Sequence, residues 1–230
     1  IFYSNKSSTV LNSKGLENLI SLPPYGDVHI NMYGIGLRYE RLDYRLNPRK
    51  GYSIVTNISA GTKLIKVNSH FNPIVYNGIK LLSNVYSGDI DGSIFIPTFI
   101  RMTLKIGVMG AMVYGENIFN NEMFRIGGLK TLRGFDEESI YATSYSIGQL
   151  EYRYLLEQNS YLYVFGNCAI YEVKNFNKGP DDIVPYGFGA GISFETKAGI
   201  FSINYALGGD NNNAPNLRSG KIHFGIVNTF

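Results

Sequence analysis

The sequence predicts an all-β protein, an antiparallel transmembrane β-barrel present here as a C-terminal portion of about nine strands, hence an open or partial barrel. Three observations carry this. In the last ten residues Ile222, Phe224, Ile226 and the terminal Phe230 share one face, while Lys221, His223, Gly225 and Thr229 fall mostly on the other. The sequence therefore stops inside a strand, where a soluble domain usually trails into a frayed polar tail. Second, charged residues are only 17% of the chain, against roughly 25% in average soluble domains, while Tyr and Phe together reach 14% and there are 26 glycines. Third, period-2 alternation recurs along the whole chain, and its connections alternate between short and long.

No run of about 18 uncharged apolar residues occurs, so a transmembrane helix is excluded and only a closed barrel remains as a way to span a bilayer. Residues 1–27 read as a loop or the remnant of a preceding strand, and 28–230 as the C-terminal strands of an outer-membrane barrel. No signal peptide is visible at Ile1-Phe-Tyr-Ser-Asn5, from which a missing front is expected.

Taken in order, strands are expected at about 28–44, 51–67, 85–97, 101–114, 145–156, 160–172, 185–195, 199–208 and 221–230. In the fourth, Leu104, Ile106, Val108, Met112 and Tyr114 alternate with Thr103, Lys105, Gly107 and Ala111; in the fifth, Leu150, Tyr152 and Tyr154 oppose Gln149, Glu151 and Arg153. The seventh is the clearest, with Tyr186, Phe188, Ala190, Ile192 and Phe194 against Gly187, Gly189, Gly191, Ser193 and Glu195; the eighth sets Phe201, Ile203, Tyr205 and Leu207 against Ser202, Asn204, Ala206 and Gly208. The bulky set is expected to face lipid and the small set the concave side. Short turns at 45–50, 98–100, 157–159 and 196–198 alternate with polar loops at 68–84, 115–144, 173–184 and 209–220, the asymmetry of periplasmic turns and extracellular loops. The basic group Arg38, Arg41, Arg45, Arg49 and Lys50 surrounds the first turn, built on Asn47-Pro48 and Gly51, and reads as charge gathered at a membrane boundary.

Other chemistries find little footing. The single Cys168 allows no internal disulfide, and His29, His70 and His223 lack metal-ligand spacing. A net charge of +3 does not argue for nucleic acid. The Gly187-x-Gly-x-Gly191 run precedes no predicted helix and reads as space inside a barrel rather than a phosphate cradle. Asp181-Asp182 and Asp210 to Asn213 lack the spaced, Gly-hinged form of a calcium loop. No nucleophile, base and orienting-acid set is found, and neither catalysis nor a metal or cofactor is expected.

The longest connection holds Phe124-Arg-Ile-Gly-Gly-Leu-Lys-Thr-Leu-Arg-Gly-Phe135. Gly127 and Gly128, followed by Leu132, Arg133, Gly134 and Phe135, resemble the "GG…VRGF/Y" signature of the outer-membrane assembly-factor superfamily (BamA/TamA-type barrels, bacterial surface antigens), with Leu in place of Val. The context is similar too: Gly148-Gln-Leu-Glu-Tyr-Arg-Tyr154, then Phe165-Gly-Asn-Cys-Ala169, a Gly-rich strand pair and the terminal signal of Phe224, Gly225, Ile226 and Phe230. Leu42-Asp43 with Asn47-Pro48 and Gly51 adds to it, so the resemblance covers about residues 28–230.

The resemblance implies a barrel of about sixteen strands, here roughly the eighth to the sixteenth, preceded by periplasmic domains. It implies that the loop folds into the lumen and that Arg133 meets an acidic residue on the inner wall. Glu151 is the first candidate partner and Asn167, which stands where the family pattern has Asp, the other inward acceptor. Cys168, next to it, is expected to face outward. The implied function is non-enzymatic folding, insertion or translocation of other proteins at the bacterial outer membrane. Unfolded outer-membrane proteins, the lipid bilayer and accessory lipoproteins are the implied partners. Alternatives are a two-partner-secretion pore, the membrane anchor of an upstream hydrolase domain, or a soluble ligand-binding barrel.

Overall fold

The computed structural model describes residues 1–9, 23–68, 72–174, 183–197 and 199–227. Ten strands form one antiparallel sheet: β1 (Phe2–Ser8), β2 (Val28–Leu42), β3 (Gly51–Ile65), β4 (Leu82–Phe99), β5 (Met102–Gly115), β8 (Ser144–Leu155), β9 (Tyr161–Glu172), β10 (Tyr186–Thr196), β11 (Gly199–Gly209) and β12 (Lys221–Val227). Each pairs with its sequence neighbour, and the sheet is not closed. A separate two-stranded ribbon, β6 (Phe124–Ile126) and β7 (Ile140–Ala142), rises from the long connection between β5 and β8.

The expected nine strands are thus ten. The added one is β1, a polar Phe-Tyr-Ser-Asn-Lys-Ser-Ser segment whose register runs from Phe2 opposite Gly34 to Ser8 opposite Val28. It lacks an apolar stripe because both its faces are largely exposed, so hydrophobic periodicity could not find it. Similarly, the connection 115–144 is not all loop, since it carries the ribbon. The last strand is followed to Val227; Phe230, Asp181-Asp182 and His70 lie outside the described residues.

Short turns join β2 to β3, β4 to β5, β8 to β9 and β10 to β11 at one end of the sheet; the long connections gather at the other. At the first turn the Asp43 carboxylate accepts the main-chain N–H groups of Tyr44, Arg49 and Lys50 at 2.9, 2.9 and 3.0 Å. Burial pushes the Asp43 carboxyl up, but the N–H donors of Lys50, Arg49 and Tyr44 outweigh it and hold the pKa below its ordinary value. Arg49 donates to the carbonyl of Ile100, tying this turn to the next. One member of the basic group therefore fastens turn to turn.

The two faces of the sheet differ as an outer and an inner wall should. Phe188, Ile203, Tyr205 and Phe224 project from one face and are exposed, with the rings of Phe194 and Phe201 stacked at 5.8 Å between centroids on the same side. Ser193, Asn204 and His223 on the other face are buried. A broad exposed apolar face on a sheet whose opposite face buries polar groups is what a lipid boundary selects. Cys168 lies on the exposed side and its neighbour Asn167 on the covered one. What covers the inner face is the β5–β8 connection.

Candidate functional site

The connection is fastened first at its root. Lys63, on the inner face of β3, has a side chain only 1% exposed, and its Nζ donates to both carboxylate oxygens of Glu122 at 2.8 and 2.9 Å and to the carbonyl of Asn117 at 2.9 Å. The same carboxylate accepts the N–H of Phe119. The Phe119 ring then packs into a cluster with Val28, Ile30, Met32, Ile65 and Val85. A buried ammonium is tolerable only when its donors are satisfied, and here three acceptors supply that.

From this root the ribbon carries the chain inward. Thr131 Oγ1 accepts the N–H of Gly127 and donates to its carbonyl, closing the tip, while Leu132 is fully buried with Ile126, Ile147 and Ala169. Arg133 follows. Its Nη1 donates to Glu151 Oε2 at 2.9 Å, and both side chains are 7% exposed. Glu151 lies seven residues into β8 from Ser144, so the tip reaches about 24 Å along the strand from the rim.

The contact is not a bidentate fork. Arg153 Nε donates to the other oxygen of Glu151 at 2.7 Å, so one carboxylate serves two guanidinium groups. Arg153 Nη1 in turn donates to Asn47 Oδ1, and Asn47 Nδ2 to the carbonyl of Gln158, linking the network to two of the short turns. The freed face of Arg133 lies on aromatic rings: its guanidinium carbon is 3.7 Å from the centroid of Phe165 and 5.8 Å from that of Tyr163. Arg133 Nε has no hydrogen-bond partner among the described residues.

Asn167 is placed differently from expectation. It does not accept from Arg133; its Nδ2 donates to the Arg133 main-chain carbonyl at 3.2 Å. An ionised Asp, which only accepts, could not make that bond. Gln149 adds a second grip on loop backbone, donating to the Thr131 carbonyl at 2.8 Å.

The glycines of the inner wall now have a physical reason. A Cβ on Gly187 would lie 1.9 Å from the Arg133 carbonyl oxygen, and one on Gly208 would lie 2.3 Å from that of Gly134. Gly134 itself adopts φ +101° and meets the backbone of Leu207 and Gly208, so loop and wall touch main chain to main chain. Gly191 leaves room for Tyr163, one of the rings beneath Arg133; a Cβ on Gly189 would meet first the Tyr205 carbonyl oxygen at 2.0 Å and then the Phe165 ring at 3.0 Å. Gly128 is close to Glu137, whose carboxylate accepts the N–H of Leu129; Phe135 packs beside the Leu132 cluster.

Sequence reasoning missed Arg153, Asn47, Tyr163, Phe165 and His223, as well as the Lys63–Glu122 pair. On β9 both faces carry bulky side chains, Tyr161, Tyr163 and Phe165 opposite Leu162 and Val164, so size alone gives no side. Only the parity of Asn167 would have put the rings inside. Lys63–Glu122 spans 59 residues with no local signal.

A family model for the Omp85 superfamily domain matches residues 7–230. The chain belongs to the Omp85 superfamily. It is accordingly a bacterial outer-membrane protein of a superfamily whose members act in secretion or insertion with substrate proteins and are generally non-enzymatic. No curated protein matches the sequence. Among solved structures the chain is similar to CdiB from Acinetobacter baumannii, at 14% identity and a TM-score of 0.40, over 86% of this chain and 42% of that one. The Omp85 chain described above thus spans less than half of that structure's length.

Proposed function

We propose that this Omp85 chain belongs to an insertase of the BamA/TamA type, which assists the folding and insertion of other barrel proteins, with unfolded outer-membrane proteins as clients and accessory lipoproteins as helpers. The observation that carries the reading is the position of β12. It stands at the edge of the sheet, paired to β11 alone among the described residues, with the loop tip seated beside it. An edge strand offers a row of free N–H and C=O groups and can template an incoming strand by β-augmentation.

The charged groups of the inner wall support a bracing role without chemistry of their own. Glu151 is held by Arg133 and Arg153 together, and these hydrogen bonds leave it no part as a free acid or base. The motif residues Gly127, Gly128, Leu132, Arg133, Gly134 and Phe135 would set the shape of the tip, and Glu151 and Asn167 its seat.

Depletion of the full-length protein, followed by pulse-labelling of several unrelated barrel proteins, tests the proposal. Loss of assembly across many clients is expected. Loss of export of one dedicated substrate, with barrel assembly intact, would establish a two-partner-secretion pore instead.

A further inference from the structure

The inward positions of β12 from 221 to 225 are Lys221, His223 and Gly225, and the loop tip touches all three. Lys221 Nζ lies 2.7 Å from Asp136 Oδ1. The main-chain N–H of Gly134 donates to His223 Nε2 at 3.2 Å in a buried contact. A Cβ on Gly225 would lie 2.3 Å from Leu129 Cδ2, so the absent side chain of one residue is filled by the leucine of the other. Gly225 is thus the seat of Leu129.

We propose that residues 129–136 form a clasp on the terminal strand, so that the seating of the motif loop and the availability of the β12 edge are one coupled equilibrium. Seated, the clasp covers the inner face of β12 and holds the strand on β11 along Ile200–Ala206. Lifted, it leaves β12 held, among the described residues, by its ladder to β11 and the Phe201–Phe224 ring contact. The inference rests on the reading of β12 as a templating edge.

Magnitudes rank the three contacts. The Lys221–Asp136 pair is 37% and 70% exposed and contributes little by itself. The Gly134–His223 bond is buried, and its loss would strand a main-chain donor without water. His223 must be neutral at Nε2 to accept, which puts its proton on Nδ1. Leu129 on Gly225 adds apolar burial. The grip therefore sits mainly at His223 and Gly225, with the ion pair setting register.

The same residues link the clasp to the Arg133 seat. His223 stands opposite Asn204, whose Nδ2 donates to the hydroxyl of Tyr163, and Tyr163 forms part of the aromatic shelf near Arg133. Gly134 follows Arg133 directly, so a displacement of the tip's main chain disturbs both the hydrogen bond to His223 and the seat of Arg133 on Glu151.

The test uses the full-length protein in the outer membrane with Cys168→Ser, Asp136→Cys and Lys221→Cys, bridged by a short, reducible bis-methanethiosulfonate. We expect the bridge to form, the β12 amides to exchange at least tenfold more slowly when bridged, and assembly of a client barrel to fall tenfold and recover on reduction. Gly225→Val, which would expel Leu129, should speed β12 exchange; Gly166→Val, at an outward position with open space around it, is the control. Failure of the bridge to form, or equal β12 exchange in the two valine variants, overturns the clasp. Slower exchange in the bridged protein without any change in client assembly keeps the clasp and overturns the insertase reading.

Discussion

Arg133 and Glu151 are each buried, and each depends on the other for a charge-assisted hydrogen bond. Glu151 also holds Arg153, so the two sides of the pair are not equivalent. Arg133→Ala leaves Glu151 with one guanidinium and opens a hole over Phe165. Glu151→Gln leaves two buried cations facing a neutral amide. Removing one partner of a buried pair costs about 3–5 kcal/mol, and the second change should lie at the upper end, the first below it. Urea unfolding of the barrel in lipid, with heat-modifiable migration as a parallel readout, checks the order. Arg133→Lys should recover only part of the loss, because a lysine keeps the charge but not the flat surface that stacks 3.7 Å from the Phe165 centroid. Full recovery by lysine would show the stack to be incidental. The pairing of Arg133 with Glu151 could be read from motif and strand parity. The second guanidinium could not, because Arg153 shares the parity of Glu151 two residues away and nothing in the sequence says that both reach one carboxylate.

Turns and strands carry their own predictions. The turn closed by Asp43 rests on a carboxylate accepting three main-chain N–H groups, and its pKa in the folded protein lies below its ordinary value. A depressed carboxylate stabilises the fold above its unfolded pKa, and that contribution fades as pH falls through the lower, folded value. The Asp43 carboxyl should therefore titrate by NMR with a midpoint below 3.8. Asp43→Asn should weaken the turn at neutral pH and remove its acid dependence. On the strands, Gly187→Ala would press a methyl group into the Arg133 carbonyl oxygen, whereas Gly166→Ala has open space around it. The first should expose the loop tip to added protease in the intact protein; the second should leave it protected. The strand pattern was largely legible, since Phe188, Ile203 and Tyr205 alternate with small residues over whole strands. The reason for the glycines was not. Alternation shows that a face is small, but only the fold, which lays the main chain of Arg133 and Gly134 against Gly187 and Gly208, shows that a backbone lies there.

At the scale of the molecule the β5–β8 connection is a strut across the inner wall. Its root is fixed on β3 by Lys63 and Glu122, and its tip on β8 to β12 by Arg133, Asn167 and His223. Strands three to seven places apart in the sheet order are thereby joined by one segment, which the open edges alone would not do. None of this coupling could be read from periodicity, because periodicity reports one strand at a time. A strut resists only while both ends hold, so its two anchors should not contribute independently. Lys63→Met with Glu122→Leu removes the root charges together and leaves neither one buried alone, the substitution least confounded by desolvation. Combined with Arg133→Ala, it should cost less than the sum of the two separate losses, by about 0.5–3 kcal/mol, since a loop already released at one end loses less at the other. A double-mutant cycle on urea unfolding of the full-length protein measures this directly. Additivity to within about 0.5 kcal/mol would mean that root and tip act as separate fasteners, and that lifting the tip from β12 leaves the β3 side of the barrel undisturbed. A positive coupling would mean instead that whatever lifts the tip also loosens the hydrophobic cluster around Phe119, so that opening at the β12 edge is felt on the far side of the sheet.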